Sequence, residues 1–496
     1  MVRTLKMNVA LVASECFPFA KTGGLADVVG TLPKYLSALG VSVKVFIPKY
    51  DVIDDKQYGL RFAESIGEMK IRVGGIARSV YLYSSVLPGS AVDVYFIDCA
   101  EYFFRGKLYS ENRDEDERFI LFTKAVIESL QRLRWVPDVI HCNDWQTGLM
   151  PLLVKDNYAW DRMFASTAFL YSIHNIGYQG RFPEETLTTG ELNRSYYYPG
   201  GPLEFDHSVS MMKAGIVFSE IISTVSNTYA HEILTPQFGA GLHDVLRARQ
   251  TDLYGVLNGI DIDEWNPETD PLIPFHYSVN DLTNKEKNKE FLLKQTSIPY
   301  RDGVPVIGII SRLVSQKGFD LVADAMNELS ELELQWVVLG SGEERFENVF
   351  SSFARFMPEK CWTHFGFNNE LAHLIEAGAD MFLMPSQYEP CGLNQMYSLR
   401  YGTVPIVRKT GGLADTVQDW HEFSHYGQEI GNGFSFNDAT SSALVHAVRR
   451  AVDSYHLADE WKTIRINGMT RDNSWNNSAR QYVTLYEKAI HQRNTV

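Results

Sequence analysis

Short apolar runs, each closed by a glycine-bearing loop and followed by a stretch with helical spacing, recur along the chain. Asn8 to Ala13 is the first run, and Cys16 to Gly30 reads as a loop and helix start. Leu32 to Leu39 has helical spacing and stops at Gly40, a residue suited to the left-handed position past a helix end. Val41 to Ile47 is β-branched, reads as the next strand and closes at Pro48. The rhythm restarts with Val304 to Ser311 as strand, Phe319 to Leu329 as helix and Leu334 to Leu339 as strand. Met381 to Pro385, a helix near Asn394 to Arg400 and Thr403 to Arg408 continue it. Such alternation predicts βαβ units, parallel sheets and helices on both sheet faces.

Between the two halves, Asp261 to Tyr300 is rich in Pro, Asn, Asp and Lys and has weak periodicity. The expected organisation is therefore an α/β domain over 1–260, a connection over 261–300, a second α/β domain over 301–475 and an amphipathic helix over 476–496. Lys21-Thr22-Gly23-Gly24-Leu25-Ala26-Asp27 recurs residue for residue as Lys409-Thr410-Gly411-Gly412-Leu413-Ala414-Asp415. The repeat predicts two related domains, each with a strand-to-helix turn of one kind, and does not by itself make both turns binding loops.

Composition narrows the function classes. The 496 residues carry 46 Lys and Arg against 61 Asp and Glu, a formal net charge of −15. No basic run is present to release counterions from a polyanion, which argues against nucleic acid and anionic membranes as partners. The apolar runs are far shorter than the ~20 residues of a membrane-spanning helix. Five scattered cysteines with no CxxC pair make no disulfide framework and favour a reducing compartment. Arg3 and Lys6 ahead of Val9 to Ala13 could open an export signal, but Glu15 interrupts the run at once, so a buried first strand is expected.

Four segments carry candidate chemistry. Lys21-Thr22-Gly23-Gly24 opens a helix just past a strand, where backbone N–H groups and a lysine would hold an anion, or where a tight turn would leave the lysine solvated. Arg312 and Lys317 lie between a strand and a helix start. Cations there oppose the helix dipole by roughly 0.3–1 kcal/mol each, so either a diphosphate compensates them or they are solvated surface charges. Glu389, in Pro385-Ser386-Gln387-Tyr388-Glu389-Pro390-Cys391-Gly392-Leu393, is an N-cap-region carboxylate or a group that holds sugar hydroxyls and stabilises an anomeric cation. His174, in Tyr171 to Gly180, is a structural histidine or one that faces a reacting sugar.

Absent patterns exclude other chemistries. Neither GxGxxG nor GxxxxGK[ST] occurs, which argues against a dehydrogenase and a P-loop kinase, and Gly340-Ser341-Gly342 lacks a third glycine. Asp114-Glu115-Asp116 and Asp261-Ile262-Asp263 both match a loose metal-binding DxD pattern. The first lies in Arg113 to Arg118, which reads as a solvated, salt-laced helix start. His231-Glu232 lacks the second histidine of HExxH. No metal site is expected.

Taken together these segments resemble the bacterial glycogen synthase and plant starch synthase family. The resemblance runs through Lys21 to Leu25, His174 to Gly180, Asn258-Gly259-Ile260-Asp261 with Trp265-Asn266-Pro267, Ser311-Arg312-Leu313 to Lys317-Gly318, Glu389 to Leu393 and Lys409 to Leu413. It implies a GT-B architecture: two Rossmann-like, doubly wound parallel-sheet domains facing a deep cleft, with the last helix crossing back to the first domain. It also implies retaining transfer of glucose from ADP-glucose to the nonreducing end of an α-1,4-glucan, without metal or cofactor.

Carried over residue by residue, Lys21, Gly23 and Gly24 approach the donor's phosphates and sugar, and Arg312 and Lys317 neutralise the departing diphosphate. Glu389 contacts glucose and His174 lines the reacting face. Gly392 and Leu393 offer N–H groups to donor oxygens, with Gly340 and Asn258 also on the donor side, while Tyr109, Asp144 and Asn175 are weaker contacts toward sugar or acceptor. Some relatives have a second glutamate where Asn394-Gln395-Met396 stands, so a carboxylate anchor for ribose is missing here. A front-face mechanism is expected, with a covalent intermediate on Glu389 as its competitor.

The implied setting is the cytoplasm, or the plastid stroma in a plant or alga; oligomeric state stays open. A UDP-glucose-dependent enzyme of the same fold and a noncatalytic glucan-binding scaffold are the rival readings. A phosphorylase is disfavoured because no segment marks a lysine for a pyridoxal Schiff base.

Overall fold

A computed structural model of the chain describes residues 7–495. Arg3 and Lys6, the charges ahead of the first apolar run, lie outside the described residues. The run itself is the strand Asn8–Val12, buried along nearly its whole length. The chain divides into two compact units: everything up to Asn258 together with the stretch from Trp475 on, and Gly259–Ser474.

The first unit is built on a sheet in the order Leu253–Gly255, Ile221–Thr224, Ala168–Ile173, Val139–Asn143, Asn8–Val12, Ser42–Pro48, Asp93–Asp98. These seven strands pair in parallel. Their side chains are buried on both faces, which explains the apolar runs. Antiparallel Ile76–Val86, with Arg61–Phe62 and Met69–Val73 beside it, extends the edge.

From Asn8–Val12 the chain builds outward through Ser42–Pro48 to Asp93–Asp98, then returns to the other side at Val139–Asn143. Strand order therefore reverses between Asn8–Val12 and Val139–Asn143. In open α/β sheets ligands bind beyond the carboxyl ends of the strands at such a reversal. The helix Gly24–Ala38 starts on the second glycine of the first repeat.

The helix Trp475–Thr495 packs on Gly24–Ala38 and over Ala168–Ile173, burying Trp475, Tyr482, Leu485, Tyr486 and Ala489. Tyr486 Oη meets the buried His141 Nδ1 at 2.9 Å, and His141 Nε2 meets Ser172 Oγ at 2.7 Å.

The second unit has a parallel sheet in the order Cys361–His364, Gln335–Leu339, Val306–Ile310, Met381–Met384, Val404–Arg408, Phe434–Phe436. Its order reverses between Val306–Ile310 and Met381–Met384.

Three expectations are corrected. The stretch 261–300 is no free connection but part of the second unit. Leu292 and Leu293 of the helix Thr283–Gln295 share a core with Leu374 and Ile375, and Trp265 lies stacked between His373 and Tyr397, 3.8 Å from each. Periodicity is weak there because polar groups do much of the docking: Lys289 pairs with Asp380 at 2.9 Å and Asp270 takes both His373 Nδ1 and Tyr401 Oη.

The charged start Arg113 to Arg118 is solvated only in part, with Arg113 alone exposed. Glu115, Asp116 and Arg118 are buried, with the Arg118 guanidinium bonded to Glu115 and to the carbonyls of Tyr102 and Leu108.

The repeated heptapeptides occupy non-equivalent loops. The first follows the central strand Asn8–Val12, whereas the second follows Val404–Arg408, two places from its sheet's central strand Val306–Ile310.

Candidate active site

In the second unit the reversal point is lined by the two loops singled out from sequence. Ser311 to Gly318 leaves the strand Val306–Ile310, and Pro385 to Leu393 leaves Met381–Met384. They are knitted by Gln387 N donating to Gln316 O (2.9 Å) and by a glycine contact. Gly318 has φ +77, and a Cβ there would lie 1.9 Å from Pro385 O, so only glycine lets the loops close.

The result brings Lys317 Nζ to 2.5 Å from Glu389 Oε2, with Ser386 Oγ donating to the same oxygen at 3.0 Å. Both Lys317 and Glu389 are largely buried, while Arg312 is exposed and its guanidinium has no partner among the described residues. Glu389 is not a helix cap, because the following helix begins only at Asn394 with Leu393 as its N-cap residue.

The Glu389 loop rests on the second heptapeptide. Gly412 N donates to Glu389 O (3.1 Å) and Pro390 O (3.2 Å). A Cβ on Gly411 would lie 2.0 Å from Glu389 O, and one on Gly412 2.1 Å from Cys391 O. Arg408 Nε donates to Ser386 O at 2.8 Å. Gln395 is turned inward, its Nε2 bonded to the carbonyls of Cys391 (3.1 Å) and Gly392 (3.0 Å), so it braces this loop and presents no amide outward. Gly392 has φ +71, and a Cβ there would meet Gln395 Oε1 at 2.5 Å. Gly340 likewise serves packing, since a Cβ would fall 1.8 Å from Ser311 O.

In the first unit the candidates gather at the other reversal point. Glu15, buried just past the strand Asn8–Val12, accepts Thr22 N at 2.5 Å, Gly23 N at 3.2 Å, Thr22 Oγ1 at 2.6 Å and Tyr109 Oη at 2.5 Å. The Gly23 N–H is thus already held by an internal carboxylate. Lys21 pairs with Asp27 at 2.6 Å. Nothing lies within 4 Å of a Cβ built on Gly23 or Gly24, so the loop's outer face is open. Tyr109 supports this loop from below: burial and the charge of Glu15 hold its hydroxyl well above the ordinary tyrosine range, hence protonated.

Asp144 and His174 follow the adjacent strands Val139–Asn143 and Ala168–Ile173. Asp144 Oδ1 accepts His174 N at 2.8 Å, and the carboxylate also takes the Asn175 N–H. Burial raises its pKa to about 7, partly offset by these amides. It has φ +54, a left-handed backbone that a non-glycine residue holds only under local constraint. Asn143 Nδ2 is occupied by Val12 O (3.1 Å) and His141 O (3.3 Å), so Asn143 Oδ1 faces His174 Nε2 at 2.9 Å and that nitrogen carries the proton. Burial lowers His174 to about 4, leaving a neutral imidazole at pH 7. Asn175 Oδ1 caps Gly177 N at 2.9 Å. Asn258 is buried with Oδ1 unpartnered among the described residues.

Sequence reasoning passed over Glu15, Ser386 and Arg408. Glu15 left a signal, since a charge ending a buried strand requires partners; the other two left none.

Arginine and lysine beside a carboxylate at one reversal point suit binding of a phosphorylated sugar. A neutral histidine and a carboxyl group at the other suit hydroxyl-bearing ligands.

Comparison with known proteins agrees with that chemistry. Residues 8–248 match the family described as starch synthase catalytic domain, and residues 293–466 match glycosyl transferases group 1. The chain is 44% identical over 493 residues to a glycogen synthase of Thermosipho africanus, covering 98% of this chain and 100% of that one. It is 45% identical over 490 residues to a glycogen synthase of Thermotoga maritima, covering 98% and 99%. Among solved structures it is similar to the catalytic domain of starch synthase IV from Arabidopsis thaliana bound to ADP and acarbose, at 34% identity and a TM-score of 0.90, covering 98% and 100%.

Proposed function

Since the chain belongs to the glycogen and starch synthase family of GT-B glycosyltransferases, we propose that it transfers glucose from ADP-glucose to the nonreducing end of an α-1,4-glucan, with retention and release of ADP. The observation that carries the reading is the Lys317–Glu389 pair of 2.5 Å with Arg312 on the same loop. Arg312 and Lys317 supply fixed positive charge for the departing diphosphate, so transfer needs no metal ion. Preorganised charge of this kind is usually the largest catalytic contribution, and losing one contact lowers the rate roughly 10²–10³-fold. Glu389 holds sugar hydroxyls and stabilises positive charge at the anomeric carbon. A leaving-phosphate oxygen takes the acceptor hydroxyl's proton on the front face.

His174, neutral and donating through Nε2 to Asn143, lines the reacting face with Nδ1 able to accept a sugar hydroxyl. The ADP-bound starch synthase relative supports an adenine nucleotide as the leaving group.

The test is nucleoside diphosphate release from ADP-glucose and UDP-glucose in parallel, with and without glycogen, in EDTA. Glycogen-dependent ADP release that fails in Glu389→Ala is expected. Preference for UDP-glucose overturns the donor assignment, and loss in EDTA overturns metal independence. A glucosyl adduct on Glu389 by mass spectrometry overturns the front-face step.

A further inference from the structure

Glu389 receives both of its side-chain hydrogen bonds on one oxygen. Lys317 Nζ lies 2.5 Å from Oε2, and Ser386 Oγ donates to the same atom at 3.0 Å. Oε1 takes no hydrogen bond among the described residues, and it is not sealed from solvent as a buried orphan. The carboxylate is thus two-sided, with a saturated oxygen turned into the loop and an open one left for a ligand.

The two donors differ in kind. Lys317 is a long side chain whose ammonium has three donors, of which Glu389 uses one. A diphosphate that draws this ammonium toward itself weakens its hold on Oε2. Ser386 is the opposite case, a short side chain only 1% exposed and buried too deeply for bulk water to compete for its hydroxyl.

The backbone of Ser386 is held independently of that hydroxyl. Arg408, at the end of the strand Val404–Arg408, donates through Nε to Ser386 O at 2.8 Å and through Nη2 to Gln387 O, while Nη1 reaches Asn437 O at 3.2 Å. Gln387 N donates to Gln316 O, and Gly412 N donates to Glu389 O. The turn from Ser386 to Glu389 is therefore fixed at both ends through peptide groups. Its closure does not need the Ser386 O–H, which is left to act on one carboxylate oxygen.

We propose that Ser386 is a positioning residue for the transfer: it holds Oε2 of Glu389 while Lys317 serves the leaving diphosphate, so that Oε1 keeps facing the sugar. The proposal rests on the glucosyl-transfer reading above. Arg408 acts one step further back, through the carbonyl of Ser386.

The experiment measures steady-state ADP release by the full-length wild type, Ser386→Ala and Ser386→Cys, with ADP-glucose and glycogen each varied, beside thermal unfolding of all three. Because the bonds that shape the turn run through the backbone, both variants keep the fold. Ser386→Ala is expected to lower kcat roughly ten- to hundredfold with donor and acceptor KM within about threefold, the loss of one hydrogen bond to a charged group in the reacting state. Ser386→Cys keeps a weak donor in the same place and is expected to fall between the two. A kcat for Ser386→Ala within about twofold of wild type overturns the proposal, as does a loss carried by KM or a Ser386→Cys variant no better than Ser386→Ala. A merely structural serine would lower the unfolding midpoint and leave kcat per folded molecule unchanged.

If the wild type releases no nucleoside diphosphate from either sugar nucleotide, the functional reading fails instead. Crystal structures of the wild type and Ser386→Ala then decide the positioning separately. A Glu389 carboxylate that turns, or splits between two orientations, once the hydroxyl is gone supports it. One that keeps its plane and its Lys317 contact overturns it.

Discussion

Lys317 and Glu389 hold one another at 2.5 Å in a largely buried setting, so truncating either leaves the other charge unmatched as well as removing its contact with substrate. Lys317→Ala is expected to lower kcat by roughly 10²–10³ with a smaller change in acceptor KM, measured by steady-state ADP release. Retention of full kcat would remove Lys317 from the chemistry. Asp144 carries a different prediction. Its folded pKa of about 7 lies far above a free carboxyl, so the folded protein retains a proton that the unfolded chain releases between about pH 4 and pH 7. Wild-type stability therefore falls as pH rises through that window. Asp144→Asn abolishes the titration and keeps a side-chain oxygen to accept the His174 N–H. Chemical denaturation should show the variant gaining about 2–4 kcal/mol on wild type between pH 4 and pH 8; a pH-independent difference would refute the assignment.

The two copies of Lys-Thr-Gly-Gly-Leu-Ala-Asp show how one local sequence serves different ends. Each opens a helix, Gly24–Ala38 in one case and Gly411–Thr416 in the other, and that much follows from the glycines and the strand before them. What the glycines face does not follow. In the first copy Gly23 has an extended backbone with nothing within 4 Å of a Cβ, whereas in the second the Gly411 Cβ would strike Glu389 O. Gly411→Ala is thus expected to cost about 2–4 kcal/mol in urea denaturation and to lower kcat by misplacing Glu389. Gly23→Ala should leave stability within about 1 kcal/mol while raising donor KM. Similar stability losses in both would contradict the packing described. The strand-to-helix alternation, the loops carrying Lys317, Glu389, Asp144 and His174, and the helix starts were legible because each has a local signature. The internal anion Glu15 and the brace Arg408 were not, because their partners are set by pairing between distant strands.

At the scale of the molecule, the misread stretch 261–300 has the same origin: Trp265, Asp270, Lys285 and Lys289 find their partners on Asn369–Gly378, Asn394–Tyr401 and neighbouring loops, and no window of sequence contains both sides. The helix Trp475–Thr495 is likewise fastened by distant groups. Burial holds His141 neutral, with its pKa lowered to about 3, and Tyr486 Oη satisfies its Nδ1. Tyr486→Phe leaves that nitrogen buried and unpaired, an expected loss of about 1–3 kcal/mol that thermal unfolding would register as a lower midpoint; an unaltered midpoint would show the bond to be dispensable.

That helix also sets a timetable. A ribosome makes the strands of the first unit, then all of Gly259–Ser474, and only afterwards the segment that covers Ala168–Ile173 and packs on Gly24–Ala38. Domains commonly fold in the order of their synthesis, but here the unit begun first is finished last. During translation its uncovered apolar surface is open to chaperones and to neighbouring nascent chains, while the second unit already holds its complete sheet. Refolding of the full-length chain from denaturant imposes no such delay, so aggregation during synthesis and aggregation during refolding become separable properties of one molecule.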